Sequence, residues 1–190
     1  MAITIELQPK DLEQIRFAYS PLIETVLSFL MLHRKPPDLR SISPRWGDEA
    51  ERALNGVQFP YMDALMPPNG YIADFITPTP TEPQADMDAV LAEVRATPEA
   101  VVRKYVQYVI DTHEDSEIRQ HYLVYPQDAL YCLTEELRLY WQRTLAHHWS
   151  NIRTVLDNDI LYRARTQALS GAEQMANDLS EGYATARLSY

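Results

Sequence analysis

The chain holds one cysteine, five glycines and 17 basic residues against 27 acidic ones, and each shortage closes off a class of function. A single cysteine, Cys132, excludes an intramolecular disulfide and a thiolate metal cage built by one chain. Within "DALYCLTEEL" it reads as a small buried apolar residue. So few glycines leave little backbone for cradling phosphate. No phosphate-binding glycine loop, dinucleotide fingerprint, Gly-x-Ser-x-Gly elbow or His-Glu-x-x-His pair occurs. A formal charge of −10 and a pI near 4.9 make the chain a poor ligand for nucleic acid unaided, because that binding rests on cations displacing counterions. The local exception, "HRKPPDLRSISPR", reads as a solvated surface. No apolar run reaches the ~18 residues that span a bilayer. The start "MAITIELQPKD" has neither the basic nor the apolar part of a signal peptide, so a cytoplasmic location and no membrane partner are expected.

What is present is helical. Length and 46% apolar content suit one globular domain. Ser20-Pro21, Ser43-Pro44 and Thr97-Pro98 each look like a helix start, a capping hydroxyl followed by proline. The first of these helices shows Leu22, Val26, Phe29 and Leu30 on one face, widened by Leu27 and Met31. The second carries Trp46, Ala50 and Leu54 and stops near Gly56. Further helices are predicted at 61–66, 84–95 and from 99, the last with Val101, Val102, Tyr105 and Val109 inward. Leu130, Leu133, Leu137, Trp141 and Leu145, then Ile152, Val155, Leu156 and Ile160, form one stripe from about 127 to 169. Unbroken, that helix would be about 60 Å long, too long for such a domain, so a break is expected at "AHHWS", 146–150. A last helix is expected over 171–179. "AITIE" and "ATARLSY" alternate like strands at the two ends. The expected fold is mostly α, a single helical domain of about seven to nine helices with short terminal β-strands.

The stretch "LMPPNGYIADFITPTPTEP", 65–83, has the composition of a linker, but the 64 residues before it are too few for a core. It is expected to be an ordered loop anchored by Tyr71 and a buried Phe75.

Three groupings bear on chemistry. His113, Glu117 and His121 are spaced four apart, as ligands on one helix face would be, but in an acidic segment of doubtful continuity they read as solvated surface. His147 and His148 sit at the predicted break. Adjacent helical residues diverge by about 100°, so a helix-capping role is preferred to shared metal ligation. Asp159 and Arg163 have the spacing of a helical ion pair. The 12 tyrosines against four phenylalanines suit an interface or a partly wet pocket, although ordinary core and surface positions account for them slightly better.

"IRFAYSPLIETVLSFLML", "PPNGYIADFITPTP", "EVRATPEAVVRKYV" and "LAHHWSNIRTVLDNDILYRARTQALSG" together resemble the N-terminal helical domain of a group of ArsR-type winged-helix transcriptional regulators. The resemblance runs across almost the whole chain. It implies a helical regulatory or dimerisation domain over 1–183, with 184–190 beginning the connection to a C-terminal winged helix that this chain lacks. The implied protein is not an enzyme and needs no cofactor or metal. It would form a homodimer, sense a small-molecule effector and meet DNA only through that other domain. Tyr71, Phe75, Trp141, His148, Trp149 and Arg163 are the candidate ligand-binding residues. The alternative is a stand-alone small-molecule-binding protein or small helical enzyme using His147 and His148, with Glu117 or Asp159.

Overall fold

The computed structural model describes residues 15–34, 44–67 and 71–171. The predicted terminal strands, the 184–190 connection and the 171–179 helix beyond Gly171 lie outside them. Eight α-helices occur among the described residues: α1 (Pro21–Arg34), α2 (Pro44–Ala53), α3 (Pro60–Leu65), α4 (Met87–Arg95), α5 (Glu99–Thr112), α6 (Glu117–Val124), α7 (Pro126–Thr144) and α8 (Trp149–Ser170). Two 3-10 turns, Asp74–Ile76 and Ala146–His148, complete them. Described residues 19–149 form one compact unit, and 15–18 with 150–171 belong to a second.

In the first unit α7 is the central rod, packing against all six helices before it. Its inward residues Leu130, Leu133, Leu137 and Tyr140 are fully buried, as the three-and-four spacing predicts. Tyr140 meets Phe29 and Phe59 edge-on at 5.5 and 5.6 Å, the arrangement that suits ring quadrupoles. Burial pushes the Tyr140 phenol up to about 12. The α1 start forms as expected, with the Ser20 hydroxyl accepting the Leu22 amide at 3.2 Å. Leu22, Val26, Phe29 and Leu30 are buried, whereas Leu27 is exposed.

Long-range capping shapes much of the rest. The six-residue α3 is too short to hold itself. The Glu136 carboxylate of α7 accepts the Tyr61 and Met62 amides at its start (3.2 and 2.9 Å). The buried Arg119 of α6 donates to the Ala64 carbonyl near its end at 3.0 Å and also to Glu114. These partners match the helix dipole at each end. Burial raises the Glu136 carboxyl, and the two amides partly offset that.

Several local expectations shift. α4 begins at Met87, three residues late, because Asp86 caps it through Asp88 and Ala89 (3.0 and 3.2 Å). Gln84 instead forms a parallel bridge with Tyr19, the one β-bridge among the described residues. On α5 the buried stripe is Val102, Tyr105, Val106 and Val109, and Val101 points out. The expected serine–proline style of cap is absent there: Thr97 is buried and its side chain caps nothing. Cys132 is only half-buried, so it is not the enclosed apolar residue expected.

The predicted break is real. α7 ends at Thr144, the 3-10 turn follows, and α8 restarts at Trp149. The Thr144 hydroxyl bonds back to the Tyr140 carbonyl at 2.8 Å, a contact that bends helices. In the second unit, α8 is closed by Gly171 at φ 88, a left-handed cap that glycine adopts without strain. None of its residues is buried.

Candidate functional site

The loop after residue 70 is held on the first unit by Ala73 and the fully buried Ile76; Phe75 packs against the core too but is half-buried rather than buried, and Tyr71 is 55% exposed. Ile76 takes the anchoring role because the 3-10 turn directs it inward and leaves its neighbour Phe75 at the edge. Phe75 and Tyr71 still converge, because Tyr105 of α5 lies between them. Its ring meets Phe75 at 5.8 Å and Tyr71 at 6.1 Å, both edge-on. The Tyr105 hydroxyl donates towards the Leu65 carbonyl at 3.0 Å and that of Tyr71, tying the loop to the end of α3. Burial pushes this phenol up to about 12. The Tyr71 hydroxyl donates to Asp74 at 2.6 Å, and that bond raises its pKa.

Together Tyr71, Phe75, Tyr105 and Tyr108 line an open cleft of about 530 Å³, with Asp74 and Lys104 as its charged groups. Val101 lines it too, which accounts for an apolar side chain turned away from the core. Such a cleft can hold a flat apolar ligand edge-on against the rings and orient it by one acidic and one basic contact.

The other predicted residues are elsewhere. Trp141 and Trp149 bracket the helix break, edge-on at 5.0 Å, and Trp149 also meets Tyr19 at 6.0 Å. His148 does not cap α7. The Trp46 indole does, donating to the Thr144 carbonyl at 3.1 Å, and Arg143 caps α2 by donating to Ala53 at 3.1 Å. His148 faces α2 instead, its Nε2 lying 3.4 Å from Oε2 of Glu49. Arg163 belongs to the second unit and pairs with Asp159 at 2.6 Å. Both are partly exposed, the setting in which such a pair contributes little.

Neither carboxylate first considered for the histidines is used: their acidic neighbour is Glu49. The His113–Glu117–His121 set is broken up, because α5 ends at Thr112, with His113 as its cap, and Ser116 caps a new helix through the Arg119 amide at 3.2 Å. His121 bonds the Tyr61 hydroxyl at 3.0 Å. Tyr105, Tyr108 and Glu49 are site residues that only the folded structure brings forward. Tyr105 and Tyr108 are three apart on α5, a spacing that suggests a shared aromatic wall. No protein family, curated protein or solved structure matches the chain.

Proposed function

We propose that the chain is the regulatory domain of an ArsR-like transcriptional regulator, combining effector sensing with self-association. DNA binding would reside in a winged helix outside these residues. The cleft at Tyr71, Phe75, Tyr105 and Tyr108 carries this reading, since it offers an aromatic effector site on a helical frame. Its occupant would be a flat, largely apolar molecule bearing a charged or polar group for Asp74 or Lys104. The charge of −10 supports placing DNA contact elsewhere.

Self-association draws support from α8. Val155, Tyr162 and Leu169 recur every seven residues and are 65–74% exposed. They fill one position in each heptad, half of a two-helix seam, since Asp159 and Thr166 stand at the intervening positions, and the proposed occupant is α8 of a second copy. The test is a gel shift with the product of the complete gene and its own promoter region. Binding that a flat aromatic metabolite releases, and that Tyr108→Ala makes unresponsive, supports the proposal. A complete gene product that ignores this DNA contradicts it.

A further inference from the structure

Glu49, His147 and His148 come from two elements almost a hundred residues apart in sequence, yet one ligand atom from each lies within 4.8 Å of the others. The two imidazoles approach to 4.0 Å between ring centres, tilted by 47°. Helix geometry separates neighbouring Cβ directions, but each ring rides on two rotatable bonds and swings back. Glu49 sits on α2, whose ten residues give it a regular backbone, and the histidines occupy the 3-10 turn between α7 and α8.

A simple ion pair does not explain the arrangement. His148 Nε2 is buried at the atom and has no hydrogen-bond partner among the described residues. It lies only 3.4 Å from a carboxylate oxygen, but the angle makes no hydrogen bond. A buried ring nitrogen left without a partner is destabilising, so an occupant is called for. The other carboxylate oxygen is already taken, since the Arg45 Nε donates to Oε1 at 3.0 Å. That contact holds Glu49 ionised and leaves Oε2 facing the imidazoles.

The geometry points to a divalent transition-metal site formed by Glu49, His147 and His148, of the zinc class. The 3.4 Å between Nε2 and Oε2 matches the edge of a tetrahedron whose ligands lie about 2.1 Å from its centre. The widest pairs need to close by about 1.4 Å, within the reach of side-chain rotation. Two imidazoles with one carboxylate suit zinc, cobalt or nickel and disfavour magnesium or calcium, which take oxygen ligands. Three protein ligands leave one position for solvent or an exogenous donor. Bound there, the ion would fasten α2 to the turn that separates α7 from α8. The inference is independent of the regulatory reading.

The experiment uses untagged, chelator-treated protein titrated with Co²⁺, read by visible absorption and by competition with Zn²⁺. One equivalent should bind, with the absorption of a low-coordinate nitrogen–oxygen site. His147→Gln, His148→Gln and Glu49→Gln should each weaken binding more than about tenfold, the scale on which even supporting residues affect metal sites. His113→Gln and His121→Gln should leave it unchanged. His147 is exposed, so His147→Gln tests the site even where His148→Gln disturbs packing. Absence of a Co²⁺ spectrum, unchanged affinity in His147→Gln, or loss in His121→Gln would each overturn the proposal.

Discussion

Helices α7 and α8 carry the same apolar repeat, and they meet opposite fates. In α7 the stripe of Leu130, Leu133 and Leu137 is wholly enclosed by six other helices. In α8 the continuation is half-buried at Ile152, Leu156 and Ile160, while Val155 is 68% exposed. Periodicity specifies which residues share a face, but whether a face is covered depends on what the fold brings to it. The junction residues 145–148 mark where one outcome gives way to the other. They also place His147 and His148 beside Glu49.

The contrast can be broken first through the core. Leu137→Ala should lower the unfolding free energy by about 3 kcal/mol in urea denaturation, whereas Leu161→Ala, at an exposed α8 position, should stay within ~0.5 kcal/mol. Equal losses would mean that α8 is packed as tightly as α7. Next come the side chains that hold α3. Arg119→Ala strips donors from the Ala64 and Glu114 carbonyls, and Glu136→Ala leaves two amides without an acceptor. Each should cost about 2 kcal/mol by the same measurement.

Alkaline pH should produce an effect of similar size, centred on two buried tyrosines of the first unit. Tyr105 and Tyr140 have folded pKa values raised to about 12, above the ordinary tyrosine value of 10.0, so folding favours their protonated forms. Their contribution is complete below about pH 10 and is lost as pH rises from about 10 to 12. Denaturation across that window should show a shallower decline, by about 2 kcal/mol, in Tyr140→Phe than in the wild type. An identical decline would count against burial of the phenol. The smallest effect belongs to α8: Asp159→Asn should change stability by less than ~0.5 kcal/mol and helix content hardly at all. A loss of several times that would show that its exposed ion pair is more than a local contact.

The helix starts at Ser20-Pro21 and the break near 146–150 were legible because each rests on local chemistry or on a length limit. The capping of α3 was not. Glu136 and Arg119 look like ordinary surface charges on their own helices, and only the packing of α6 and α7 aims them at Tyr61, Met62 and Ala64. Leu27 and Val101 were misjudged for a related reason, since an apolar residue at the edge of a stripe can turn either way. For Val101 the determining feature is the aromatic cleft beside it. The cleft itself was half legible: Tyr71 and Phe75 were visible in the loop, but Tyr105 and Tyr108 join them only through tertiary contact. Trp141, Trp149 and His148 share the α7 end, where His148 turns to Glu49 because Trp46 already satisfies the helix terminus.

The proposed division of labour, an enclosed first unit that senses an effector and a helix whose exposed side chains meet a second copy, is tested most directly by sedimentation equilibrium. The comparison is between the wild type and the double variant Val155→Glu/Tyr162→Glu. The wild type should sediment as a dimer and the variant as a monomer with the same far-ultraviolet circular dichroism, since both side chains are already exposed within one chain. A wild type that remains monomeric at high protein concentration, or a variant that remains dimeric, would contradict it.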